Sequence, residues 1–150
     1  MRNQWLFKVT SAFLIVMLAL AALPVTPSYA ATITVNITTD ENANNGNCSL
    51  REAVIAANTD LAYNGCPAGD VGADTIILAS GSTYTLSIVG TGENASATGD
   101  LDILDPLTIQ ANGATPAIIN QTVGDDRVFD MRDGLTTLTL NTITVSGGWI

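Results

Sequence analysis

Seven aspartates crowd the second half of the chain in two groups. Asp100, Asp102 and Asp105 come first, then Asp125, Asp126, Asp130 and Asp133, with Arg127 and Arg132 set among the second group. Carboxylates at this density suit two chemistries. Oxygen ligands converging from several side chains are what Ca²⁺ requires, and Asp100, Asp102, Asp126 and Asp130 are the candidates for holding it. A pair of carboxylates roughly 5 to 9.5 Å apart would suit glycoside hydrolysis. Aspartate is also the ordinary residue of turns, where its side chain bonds the local backbone. Turn chemistry is the preferred reading, and on it the chain needs no metal or other cofactor. Other chemistries are excluded by missing residues. Without histidine there is no Ser-His-Asp or Cys-His arrangement. Gly90-Thr91-Gly92 lacks the third glycine and the following helix of a phosphate loop.

The ends and the charge narrow the setting. Arg2 and Lys8 precede a fifteen-residue uncharged, mostly apolar run (residues 9–23), and Ser28-Tyr29-Ala30 offers small residues where a signal peptidase reads. The run is short for a membrane-spanning helix, which needs roughly 20 residues. Residues 1–30 are therefore expected to be a cleaved secretory signal, the chain's one contact with a membrane. Losing Arg2 and Lys8 takes the formal net charge from −9 to −11 and removes the only lysine. Such a surface repels nucleic acid, whose binding depends on basic side chains meeting phosphates. Export also bears on the two cysteines, Cys48 and Cys66, with seventeen residues between them. In an oxidising compartment an even pair reads as a disulfide. Two free buried thiols are the alternative, and a metal site would lack ligands.

The elements that must position these groups begin at Cys48. Ser49 and Glu52 have the spacing of a reciprocal capping box, which starts a helix expected at about residues 49–58. Leu50, Val54 and Ile55 fall on one side at helical spacing and would dock it, with Arg51 and Glu52 facing outward. Before it, Ile33, Val35 and Ile37 alternate with polar residues as a half-buried strand. After a turn-rich stretch the chain repeats: Asp74, Asp100 and Asp126 each open a β-rich unit, 26 residues apart. Short apolar runs at residues 101–104, 107–109 and 117–119, then at 128–131, 135–140 and 143–145, give three per unit with no helix between. That pattern fits the coil of a parallel β-helix. It predicts the three aspartates stacked along one edge. An antiparallel sandwich is the structural rival, because short strands at this spacing fit it too. Gly147-Gly148-Trp149-Ile150 closes a unit on apolar residues without a polar cap, so further coils are expected to follow in the natural protein.

Cys48-Ser49-Leu50-Arg51-Glu52-Ala53 resembles the signature of the CSLREA domain. The similarity extends from about Ala31 to about Gly148, through Ala56-Ala57-Asn58-Thr59-Asp60, Cys66-Pro67-Ala68-Gly69 and Val145-Ser146-Gly147-Gly148. The resemblance implies the N-terminal part of a secreted bacterial protein whose body is a right-handed parallel β-helix. Residues 31–73 would form an N-terminal cap and residues 74–150 the first coils, incomplete at the C-terminus. The function implied is structural or adhesive and non-catalytic, outside the cell or at its surface, with a polysaccharide or a protein as partner. The alternative is the N-terminal part of a polysaccharide-active enzyme, a lyase or glycoside hydrolase, with its active site on later coils. Parallel β-helices resembling pectate lyases bind Ca²⁺ between aspartates and use a nearby arginine as base.

Overall fold

The computed structural model describes residues 29–124, 126–132, 134 and 136–149. Apart from Tyr29 and Ala30, the expected leader lies outside the described residues, as do Asp125, Asp133 and Leu135. Among the described residues no helix is long and apolar enough to cross a membrane.

The protein is mainly β. Strand β1 (Thr32–Thr34) is followed by helix α1 (Leu50–Thr59) and then by eight strands. These are β2 (Asp74–Leu78), β3 (Thr83–Leu86), β4 (Leu101–Ile103), β5 (Leu107–Ala111), β6 (Ala117–Gln121), β7 (Phe129–Met131), β8 (Leu138–Asn141) and β9 (Ile143–Gly147). They form three sheets, ordered β1-β2-β5-β8, β3-β6-β9 and β4-β7, in which every ladder is parallel. From β2 onward each strand pairs with the one three places later. Parallel ladders dispose of the antiparallel sandwich, whose strands join by tight hairpins.

Alternation explains which side chains go inside, because successive residues of a strand face opposite ways. In β2, Asp74, Ile76 and Leu78 are buried while Thr75 and Ile77 are half-buried. The ladder register then puts like on like: Ile33 is level with Ile76, Ile76 with Ile109, and Ile109 with Leu140. A second column runs Tyr84, Ile119, Val145. β-branched residues suit such a pleated stack. Gln121 interrupts the apolar interior level with Leu86, and its amide donates to the carbonyls of Gly99 and Arg127 at 3.3 and 3.2 Å.

Two expectations are overturned. The aspartates that open the sequence units do not stack: Asp74 is level with Leu107, which is level with Leu138, while Asp100 lies just before β4 in another sheet. The long excursion over residues 87–100 between β3 and β4 has no counterpart between β6 and β7. The loops between successive strands therefore differ in length, and a fixed period cannot hold. Asp100 and Asp126 do meet, because the backbone N–H of Asp100 donates to Asp126 Oδ2 at 3.1 Å. The second correction concerns Arg51 and Glu52, expected to face water: both are wholly buried.

Helix α1 begins as its sequence dictates. Ser49 Oγ accepts from the N–H of Glu52 at 3.2 Å, and Glu52 Oε2 accepts from the N–H of Ser49 at 2.9 Å. Leu50 and Val54 join the core with Ala53, Ala56 and Ala57, and Ile55 is buried outside that cluster. The helix ends at Asp60, which is left-handed with φ 54°. Cys48, just ahead of the helix, is disulfide-bonded to Cys66, with Cα atoms 4.7 Å apart.

Candidate functional site

Two constellations carry polar chemistry: a seam around Arg51 and an acidic cluster around Arg127. Arg51 is fully buried, and all five of its N–H donors are used. Nε and Nη2 bind Asp40 Oδ1 and Oδ2 at 2.7 and 3.0 Å. Nη1 donates to the carbonyls of Ser96 and Asp100 at 3.0 and 3.2 Å, and Nη2 to that of Gly99 at 2.8 Å. A buried guanidinium is tolerable when its charge is paired and its planar fork is filled. Asp40 Oδ2 also accepts from the N–H groups of Ser87 and Ile88 at 2.7 and 2.9 Å.

Neighbouring bonds from the same N-terminal segment close the outer edges of β2, β3 and β4. β1 covers β2, and Val35 N–H extends that ladder to the carbonyl of Ile77. Thr38 and Asp40 accept from the backbone around the end of β3. On β4 the work passes to side chains: Asn58 Nδ2 donates to the carbonyl of Asp102 at 2.8 Å and Asn58 Oδ1 accepts from Leu104 N–H at 3.0 Å. One amide thus replaces a missing strand. Glu52 serves the other side of the helix, taking Ala43 N–H at 2.9 Å and Asn64 Nδ2 at 2.8 Å besides its capping bond.

The second constellation gathers three of the four candidate Ca²⁺ ligands around a cation of the protein itself. Arg127 Nε lies 3.2 Å from Asp100 and 3.8 Å from Asp126, and its Nη1 lies 3.2 Å from Asp130. Arg132 Nη1 lies 2.7 Å from the other oxygen of Asp130. Asp102 is turned to a different partner, the N–H of Ser96 at 2.8 Å, and its Oδ1 is buried without a hydrogen bond. Among the described residues no three acidic or thiol side chains are placed to hold a metal ion. Burial, with help from neighbouring Asp126 and Asp102, pushes the Asp100 carboxyl up from 3.8 to about 6. Arg127 opposes this but is half exposed, so water screens it. Burial likewise raises Asp102 and Asp74.

Searches against family models, curated proteins and solved structures find no match for this chain.

Sequence reasoning found Ser49, Glu52, Leu50, Val54 and the two cysteines where they act. It missed Arg51, Asp40 and Asn58. A signal for Arg51 was present: residues 53–57 are all apolar or small, so the helix offers no obvious solvent face. A charge in such a helix must find its partner inside. Asn58 carried no comparable signal, because its role depends on where β4 comes to lie.

A groove of about 320 Å³ adjoins the acidic cluster, lined by Arg127, Val128, Gly147, Gly148 and Trp149. Another of about 410 Å³ runs between residues 35–39 and Ala79, Ser82 and Tyr84.

Proposed function

We propose that the chain is the N-terminal, end-closing part of a right-handed parallel β-helix of the CSLREA-domain kind, exported from the cell and serving there as a non-catalytic structural or adhesive element. One observation carries the reading: residues 31–60 satisfy the outer edges of β2, β3 and β4 together, with a strand on the first, backbone and Asp40 on the second, and Asn58 and Arg51 on the third. A solenoid needs such closure, because an open sheet edge invites other chains to add to it. The Cys-Ser-Leu-Arg-Glu-Ala resemblance supports the same reading, since its arginine is the buried charge that ties residues 31–60 to the segment leading into β4, and its glutamate caps the helix that carries it. Expression of the full chain in a bacterium tests export: the product is expected outside the cytoplasm with Ala31 as its first residue. A cytoplasmic product with an intact leader overturns it.

A polysaccharide-active enzyme is the second reading, favoured by Asp100 with its raised carboxyl beside Arg127. A carboxyl poised near neutrality is what general acid–base work uses. This reading requires release of sugar ends from a polysaccharide, lost in Asp100→Asn. The structural reading expects none.

A further inference from the structure

Asp74 is a buried carboxylate without a cation. It opens β2 on the inward side of the strand and is 1 % exposed. Burial lifts its carboxyl above the ordinary range, and the charges nearest it, Asp60 at the end of α1 and Asp70 in the loop before β2, are acidic and add to the effect. Among the described residues the arginines are engaged elsewhere, Arg51 with Asp40, and Arg127 and Arg132 with Asp130. Backbone N–H groups serve Asp74 instead. That of Asp70 is shared between both oxygens at 3.3 Å, and that of Ala31 donates to Oδ1 at 2.8 Å. Gly69 closes another side, where a Cβ would collide with Asp74 Oδ2.

The Ala31 nitrogen is the atom that the expected processing changes. Cleavage after Ala30 adds water across the Ala30–Ala31 peptide bond. The leader departs with a carboxylate at Ala30, while the Ala31 nitrogen keeps the bonding electron pair and takes up protons to become an α-ammonium. Its position does not depend on Ala30. The Ala31 carbonyl accepts from Thr75 N–H at 2.9 Å, and Thr32, Ile33 and Thr34 follow in register with β2. Tyr29 and Ala30 are exposed, so the leader departs on the outside while Asp74 faces the nitrogen from within.

We propose that Asp74 is the binding site for the mature chain's own amino terminus, an ion pair that comes into being when the leader is removed. The neutral amide donor at 2.8 Å becomes a charged one, and charge-assisted hydrogen bonds are roughly twice as strong as neutral ones. A buried carboxylate is costly alone and tolerable once paired and hydrogen-bonded. Only cleavage between Ala30 and Ala31 puts an α-amine at this point; a cut one residue to either side misses it. Ala31 leads into β1, the strand that covers the outer edge of β2, so losing the leader fastens that cover. The raised carboxyl of Asp74 belongs to the uncleaved chain, and the ammonium lowers it again. The proposal rests on the export reading above and adds what cleavage does to the fold.

The mature chain has no lysine, so its α-amine is the one amine that an acylating reagent can reach. The exported product is treated with N-hydroxysuccinimidyl acetate at pH 8 and read by mass spectrometry. The folded parent is expected to react at least about tenfold more slowly than the same chain in urea, because a neighbouring carboxylate keeps the amine protonated above its ordinary value of about 8. Asp74→Asn keeps the shape, removes the charge and is expected to lose that protection. A serine inserted between Ala30 and Ala31 leaves Asp74 intact but moves the amine one residue outward. That product is expected to label freely and to melt about 3 °C or more below the parent, and it decides the matter if Asp74→Asn does not fold. Free labelling of the folded parent, equal protection in Asp74→Asn, or an insertion product as protected and as stable as the parent overturns the proposal. The first residue of the product separates the two claims. An exported chain that begins at Ala31 and labels freely, or that begins elsewhere, defeats the ion pair and leaves export standing. A cytoplasmic chain with its leader intact defeats both.

Discussion

Asp40 grips Arg51 with both carboxylate oxygens, Oδ1 on Nε at 2.7 Å and Oδ2 on Nη2 at 3.0 Å, and neither side chain is exposed to water. Around this pair four stretches of chain meet: the loop before α1, the helix itself, the end of β3, and the excursion over residues 96–100. Removing one member of a buried pair strands the other, at a cost of about 3–5 kcal/mol. Here three backbone carbonyls would lose a donor as well.

Arg51→Met is therefore expected to destabilise the protein by at least about 3 kcal/mol. Arg51→Lys should do little better, because an ammonium cannot span five acceptors set in a planar fork. Urea melts of both variants check this. A loss below about 1 kcal/mol in Arg51→Met, the range of an exposed pair, would show that the seam does not hold the helix.

Ser49→Ala and Glu52→Ala should separate. The first removes one capping acceptor and is expected to cost about 1 kcal/mol. The second leaves the N–H groups of Ala43 and Ser49 and the amide of Asn64 without their acceptor, at about 1–3 kcal/mol for each buried group that water cannot reach. Leu50→Ala, which hollows the docked face, should fall at about 2–5 kcal/mol. The same melts rank all three, and equal small effects would contradict the ranking.

Cys48 and Cys66 are expected to resist alkylation in the folded protein, since they are bonded to each other and both are buried. Mass spectrometry without reductant should find no modifiable thiol. Replacing both by alanine should lower stability by about 3 kcal/mol, as the closed loop of 18 residues suggests. Two labelled thiols on the native chain would refute the bond.

Stability should fall as pH rises from about 4 through about 6, the interval over which the Asp100 carboxyl is pushed up by burial and by Asp126 and Asp102. A native value above the unfolded one means that the folded protein holds the proton more tightly. That contribution is complete below the unfolded value and is lost above the folded one. Asp74 and Asp102 act in the same direction. Asp100→Asn is expected to gain on the parent by about 1–2 kcal/mol between the acidic and neutral ends of this interval. Chemical melts across the range check it, and a constant difference between the two proteins contradicts it.

The strand content and the parallel pairing were legible because β-branched residues alternate with polar ones over short runs, and no hairpin turn joins the runs. The helix start was legible because a capping box is local: Ser49 and Glu52 need only each other. Register was not. Which residue of one strand pairs with which of another depends on the length of every loop between them, and residues 87–100, rich in Gly, Ser, Thr and Asn, announce a loop without fixing how long an excursion it makes. Asp74, Asp100 and Asp126 share a residue type because turns favour it, and only the last two share a neighbourhood. Arg51 was misread because a periodicity argument assigns charges to water by default. Where small residues surround the whole helix, that default fails.

The side-chain amide of Asn58 stands in for a strand beside β4, and its consequence concerns the order of assembly. Every ladder from β5 onward uses as its template a strand already behind it in the chain, and the first such templates are finished by residues 31–60. A polypeptide emerging N-terminus first would thus meet, at each step, a prepared surface with one side already sealed. Each added strand closes a loop of some thirty residues on that surface, the kind of non-local pairing that is slow when it must begin unaided. Supplying the founding surface from the segment nearest the N-terminus turns a slow search into zipper-like growth in one direction, from residues 31–60 toward the C-terminus.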